Sequence, residues 1–221
     1  LTSWPTEAAR RERIVTPLAR AVLEKIRKYL AGAGTAERGW IADIGAGHGV
    51  FCEEMRKIAP QTKILAIEPS FELSGICQKK GLAVVSTFLE DTARADLPIG
   101  PGERGTLTSF ELLEHVQNPY AFLESCRHIL QPGELFIFTT LNGLGLDIQV
   151  LWEKSKSVHP PHHINFFNPG SIKTLLERTG FQALEISTPG KLDVSILENS
   201  LGKIPADRFW ANFLGQLGED G

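Results

Sequence analysis

The sequence predicts an α/β fold, a doubly wound and mostly parallel sheet with helices on both faces. Three observations carry this. Short apolar runs alternate with longer stretches whose apolar residues recur at three- and four-residue spacing, the strand and helix periods. The first apolar run leads straight into a glycine-rich loop, Asp43-Ile44-Gly45-Ala46-Gly47-His48-Gly49. Proline and glycine punctuate the returns between elements. Strands that alternate with helices imply parallel βαβ units, with a helix needed for each crossover.

Ile14, Leu18, Val22, Leu23, Ile26 and Leu30 form the apolar stripe of an opening helix. Arg10, Arg11, Arg13, Arg20, Lys25, Arg27 and Lys28 interleave with it as a solvated face. Gly32 and Gly34 break that helix, and Trp40–Ile44 reads as the first strand. After the loop, Phe51, Met55 and Ile58 mark a helix ended by Pro60, and 63–67 is the second strand. A helix through Leu73, Ile76 and Cys77 stops at Gly81, before a third strand at 83–85. Residues 106–110 are the fourth strand, 119–130 a helix closed by Pro132-Gly133, and 135–140 the fifth strand. Asn168-Pro169 opens a helix that Gly180 ends, and Phe181 to Ile186 reads as a sixth strand. Beyond it, 193–204 and 207–217 have helical spacing behind Asp193 and Asp207.

A length of 221 residues with no repeat or linker fits one domain, with a helical segment at 1–31, a core at 39–140 and a substrate-side lid with C-terminal elements at 141–221. The net charge of −3 gives no general attraction to nucleic acid or anionic membranes. No apolar run approaches the roughly 18 residues of a membrane span. Cys52, Cys77 and Cys126 are widely spaced without a CxxC pair, which suggests buried, reduced thiols in a cytoplasmic protein.

In doubly wound sheets, ligands bind beyond the carboxyl ends of the strands. The glycine loop brings backbone N–H groups to one point there. Its spacing, Gly45, Gly47 and Gly49, departs from the dinucleotide fingerprint, which needs glycine where Val50 stands. Glu68 ends the second strand, where its carboxylate can accept both hydroxyls of a ribose. A loop plus a ribose acid, without the pyrophosphate fingerprint, favours an adenosine ligand.

These residues resemble class I S-adenosylmethionine-dependent methyltransferases, whose sheet is Rossmann-like. Asp43, Gly45, Ala46 and Gly47 resemble the family's cofactor loop, and Glu68-Pro69 its ribose-binding acid. Leu89 and Glu90 occupy the place that meets the adenine amino group. Phe110-Glu111-Leu112-Leu113-Glu114-His115-Val116 resembles the fourth-strand motif of the ubiquinone-biosynthesis O-methyltransferase branch. Leu130 to Leu135 resembles its turn into the fifth strand, with Glu134 in place of the usual second glycine. The resemblance implies methyl transfer from S-adenosylmethionine, with S-adenosylhomocysteine as product, to a small-molecule acceptor, most readily an oxygen. It also implies a closing seventh strand: either Leu192 to Leu197 forms it or, since Val194, Leu197, Leu201 and Ile204 fit a helix better, it is missing from this chain, in agreement with a chain trimmed at its ends.

The candidate catalytic residues are His115 after the fourth strand, and His162 and His163 in the segment His159-Pro160-Pro161-His162-His163-Ile164-Asn165. Glu111, Glu114 and His115 resemble the set that ubiquinone-pathway relatives use for a divalent ion, and packing over the cofactor is the alternative. A nicotinamide-dependent oxidoreductase and a non-catalytic binder of the cofactor are the competing functions. Oligomeric state is not legible in the sequence.

Overall fold

The computed structural model describes residues 9, 11–30 and 39–189. The helices expected at 193–204 and 207–217, and with them the question of a seventh strand, lie outside the described residues. Contacts divide the chain into two compact units, Leu1–Leu112 with Asn118–Thr139, and Leu113–Gln117 with Thr140–Gly221.

The larger unit holds a five-stranded sheet: β1 (Trp40–Ile44), β2 (Lys63–Ile67), β3 (Ala83–Val85), β4 (Gly105–Phe110) and β5 (Leu135–Thr139). The order is β3-β2-β1-β4-β5 and each neighbouring pair is parallel. The chain walks outward from β1 to β3 and then restarts on the other side of β1. That reversal, between β1 and β4, is where this class of sheet binds ligands. β1 is buried along its whole length, as a strand covered on both faces must be. Among the described residues, the α-helices of this unit are α1 (Thr16–Leu30), α2 (Val50–Ile58), α3 (Phe71–Lys79) and α4 (Pro119–Ile129). Phe51, Cys52 and Met55 of α2 join Ala19, Val22 and Ile26 of α1 in one core cluster with β1 and β2.

Two details of the N-terminal segment differ from the sequence pattern. Ile14 lies in a single π-turn (Arg11–Val15) ahead of α1 and is 56% exposed. Arg11 is not a solvated charge: it pairs with Glu53 at 2.8 Å and Glu54 at 3.1 Å on α2. Glu54 is nearly buried, and a buried carboxylate needs a cation beside it.

Glu134 marks the amino-terminal edge of the sheet. Its side chain is fully buried and accepts from Arg94 through Nη1 (2.6 Å) and Nη2 (3.0 Å). The backbone N–H groups of Gly105 (2.9 Å) and Gln131 (2.6 Å) complete the set. Arg94 also donates to the carbonyls of Ile129 and Glu103, both at 2.8 Å, and lies over the Trp40 ring. An acid stands where the related motif has glycine because this carboxylate ties β4, the β5 turn and the Arg94–Asp96 turn together.

The smaller unit contains α5 (Leu146–Leu151) and α6 (Pro169–Arg178). α6 starts as its sequence predicts: Asn168 accepts from the Ser171 N–H and the Ser171 hydroxyl accepts from the Asn168 N–H. α5 was not apparent in the sequence pattern. The sixth strand expected at 181–186 is absent, and this stretch is irregular. Leu184 and Ile186 are 51% and 38% exposed. A strand exists only where a neighbouring ladder accepts it, and the apolar alternation here has no buried face to specify one.

Candidate functional site

The glycine loop 43–49 of the larger unit sits at the strand-order reversal. The Gly45 N–H donates to the Ile67 carbonyl at 2.9 Å, tying the loop to the end of β2. Gly47 and Gly49 do different work. Gly47 has φ 56°, and a Cβ there would meet nothing within 4 Å, so its backbone faces open space. A Cβ on Gly49 would lie 2.6 Å from Leu82 and 2.9 Å from the Cys77 sulfur. Gly49 therefore serves packing, whereas Gly47 leaves its side open. The loop ends on the N-terminus of α2, whose free N–H groups and dipole favour negative charge.

Glu68 is buried beside this loop. One carboxylate oxygen accepts from the Gly47 N–H at 2.8 Å and the other from the Ser70 N–H at 2.9 Å. Each oxygen keeps a second acceptor direction. Pro69 separates it from Ser70, whose hydroxyl caps α3 by accepting from Leu73. Asp43 is also buried, and the parallel register sets it opposite Thr108 of β4. The Thr108 hydroxyl donates to it at 2.8 Å. Burial, and then the charge of Glu68, push the Asp43 carboxyl up to about 7, against the opposing pull of Thr108.

Ala46 donates weakly to Ile67 at 3.4 Å, and Leu89 is buried in a short turn that leaves Glu90 exposed. Phe110 packs its ring on Phe51, centroids 4.6 Å apart, so its side chain belongs to the core. Glu111 has φ 51°, a left-handed conformation that costs an L-residue about 1–2 kcal/mol. The Thr139 carbonyl accepts its N–H at 3.2 Å and the Thr139 hydroxyl donates to its carboxylate at 2.7 Å. Backbone strain held in this way gathers at ligand sites. Among the described residues, Ser109, on β4 just before Glu111, carries the one buried side-chain oxygen with no hydrogen-bond partner.

In the smaller unit, the turn Leu113–His115 is braced by the histidine-rich segment. Ile164 and Asn165 donate their N–H groups to the Glu114 carbonyl at 2.9 and 3.1 Å. The Asn165 side chain donates to the carbonyls of Val116 (2.6 Å) and Leu113 (3.2 Å). His115 and His163 are in ring contact, 4.8 Å between centroids. Each directs Nδ1 at a carbonyl oxygen 2.7 Å away, of His162 and Ser157 respectively. A carbonyl can only accept, so Nδ1 carries the proton and Nε2 is left as the basic nitrogen of each neutral ring. Glu114 is buried beside them and accepts from the Thr140 hydroxyl at 2.9 Å. Ligand atoms of Glu114, His115 and His163 lie within 4.8 Å of one another.

The structure thus gathers His115 with His163, not with the His162 side chain. His162 supplies its carbonyl, and its exposed ring stands edge-on to His159. Glu111, the third member of the acid-acid-His set suggested by resemblance, belongs to the larger unit and is bound by Thr139; His163 takes the third place in the cluster. Sequence reading missed Thr108, Thr140 and Ser157. A hydroxyl inside a strand buried on both faces is the one available signal, and it applies to Thr108.

A family model described as a methyltransferase domain matches residues 13–186. The chain belongs to the class I S-adenosylmethionine-dependent methyltransferases. Among curated relatives, this methyltransferase is 34% identical to the ubiquinone biosynthesis O-methyltransferase of Paraburkholderia xenovorans over 104 residues, 46% of this chain and 44% of that protein. It is 27% identical to that of Xanthomonas euvesicatoria pv. vesicatoria over 175 residues, 73% of this chain and 67% of that protein. The match thus spans under half the length of the first of these relatives. In fold it resembles the plantazolicin methyltransferase BpumL, in complex with a pentazolic desmethylPZN analog and SAH (S-adenosylhomocysteine). The TM-score is 0.59 at 17% identity, over 78% of this chain and 66% of that one. The plantazolicin methyltransferase BamL, in complex with a triazolic desmethylPZN analog and SAH, gives 0.59 at 13% identity over 77% of this chain and 64% of that one. Among the described residues no helix is long and apolar enough to cross a membrane.

Proposed function

We propose that this methyltransferase moves the methyl group of S-adenosylmethionine to an oxygen of a small-molecule acceptor. The observation that carries this is the glycine loop whose central N–H is fixed to the buried Glu68 carboxylate at the strand-order reversal. The residues fit the cofactor: Gly47 opens on free space, Glu68 retains acceptor capacity, and the Ser109 hydroxyl lacks a partner. S-adenosylmethionine, when bound, supplies the methyl electrophile. The 43–47 backbone and Glu68 hold it, with Pro69, Leu89, Glu90, Phe110 and Glu111 at the ends of the neighbouring strands. The oxygen acceptor, a phenol or sugar hydroxyl, follows the names of the curated relatives and the likeness in the Phe110–Val116 motif.

The histidine cluster is proposed to deprotonate the acceptor. An Nε2 held basic by its Nδ1 partner is the arrangement a general base needs, and such a base adds roughly 10²–10⁴-fold. A second reading has a specific observation behind it: Glu114, His115 and His163 form a donor set suited to a divalent cation. An ion there would lower the pKa of an acceptor hydroxyl. The three free, buried cysteines support a reducing compartment, in keeping with a cytoplasmic site.

Calorimetric titration tests the cofactor reading. S-adenosylmethionine and S-adenosylhomocysteine are expected to bind and NAD is not; NAD binding in their place would overturn it. Turnover of His115→Ala, and of the unsubstituted protein with and without EDTA, separates base from metal. Full activity of the variant rejects both.

A further inference from the structure

We propose that Asp147 is a positioning residue for His163, acting through Ser155 and Ser157. The proposal rests on the reading that His163 works through its Nε2. That nitrogen is free for work only while Nδ1 donates to the Ser157 carbonyl. Ser157 lies in irregular chain beyond the Trp152–Lys154 turn, where no helix or strand fixes the direction of its carbonyl. The Val158 N–H donates to the Ser155 carbonyl at 3.1 Å and so holds the peptide that carries the Ser157 carbonyl in one turn; Asp147, in the first turn of α5, anchors that turn. Its Oδ2 accepts from the Ser157 hydroxyl at 2.7 Å and from the Ser155 hydroxyl at 2.6 Å. The Ser155 hydroxyl oxygen in turn accepts the Ser157 N–H at 3.0 Å. Ser157 is therefore held at both its amide and its hydroxyl, and its carbonyl is aimed as a result.

An acid in the first turn of a helix needs no special explanation, because the dipole favours it there. The dipole does not account for one oxygen shared by two hydroxyls, one of them on the buried Ser155. Gly145 completes the arrangement, since a Cβ there would stand 2.8 Å from Asp147 Oδ1. Groups that orient a working histidine fix its tautomer, and their loss costs about 10–100-fold in activity.

Asp147→Ala is expected to lower kcat by about that factor. Affinity for S-adenosylmethionine should be unchanged, because residues 45–49 and Glu68 are untouched. Asp147→Asn keeps an acceptor oxygen and should recover part of the loss. The decisive readout is the histidine tautomer, from long-range proton–nitrogen correlation spectra of histidine-labelled full-length protein. The unsubstituted protein should show His163 protonated on Nδ1. In Asp147→Ala the Nε2–H tautomer of His163 should appear, while His115, which donates to His162, keeps its own. An unchanged His163 overturns the proposal. So does a joint shift of both histidines, which reports general loosening of the unit. If Asp147→Ala does not fold, Ser157→Ala carries the same expectation. A His163 shift with unaltered turnover upholds the positioning and discards the catalytic role of His163, so the two ideas fail separately.

Discussion

The two ends of the sheet each bury a carboxylate beside a tight turn, and they treat it in opposite ways. At the amino-terminal edge, Glu134 receives two Arg94 nitrogens and two backbone N–H groups. Charge and hydrogen-bonding capacity are both met, and the group is closed to any further partner. At the carboxyl-terminal edge, Glu68 receives two backbone N–H groups, and Asp43 a hydroxyl. Two acids share that end, and one of them holds its proton close to neutrality. A saturated buried acid is a structural tie; an under-compensated one keeps acceptor capacity for a further partner. The burial alone would not tell them apart, since all three side chains are nearly inaccessible.

The contrast can be broken most forcefully at its closed end. Arg94→Leu leaves Glu134 buried without its cation and is expected to cost about 3–5 kcal/mol in urea unfolding. Cofactor affinity of the folded fraction should hold, and a variant as stable as the unsubstituted protein would show that Glu134 was not dependent on its partner. Next in size is the pH dependence set by Asp43. Its folded-state value lies above the unfolded one, so between about pH 4 and pH 7 the folded protein keeps a proton that the unfolded chain has released. Stability should be full below that window and fall as pH rises through it, by on the order of 4 kcal/mol at most. Asp43→Asn should flatten this slope in a series of thermal melts; an undiminished slope would assign it to another group.

Glu68→Ala sharpens the comparison at the open end. On the proposed role of Glu68, each charged hydrogen bond to the cofactor is worth about 1.5–3 kcal/mol, so affinity should drop by at least tenfold in titration calorimetry. The loss of fold stability should be smaller than for Arg94→Leu, because no cation is stranded. Thr108→Val is the mildest change. Removing the donor to Asp43 should cost about 1 kcal/mol and move the midpoint of the pH transition upward, the direction set by losing the one group that lowers it.

What the sequence determined by itself was most of what depends on near neighbours, α5 excepted. Strand and helix periodicity gave the five strands and the helices around them, and Asn168-Pro169 with Gly180 gave the bounds of α6. The loop 43–49 and Glu68 were legible because their positions follow from the ends of two consecutive strands. Only the tertiary structure decided what distant residues do to one another. Asp43 and Thr108 lie 65 residues apart and meet because β1 and β4 pair in one register and no other. His163 joined Glu114 and His115, where local reading had offered Glu111, because hydrogen bonds from Ile164 and Asn165 bring the later segment onto the 113–116 turn. The apolar residues at 181–186 satisfied the strand period yet formed none, since a strand requires a partner edge and local pattern cannot supply it. Glu134 in place of a glycine became intelligible once Arg94, 40 residues earlier, stood against it. Periodicity is written in adjacent residues; the pairing of charges, donors and edges is written in the fold.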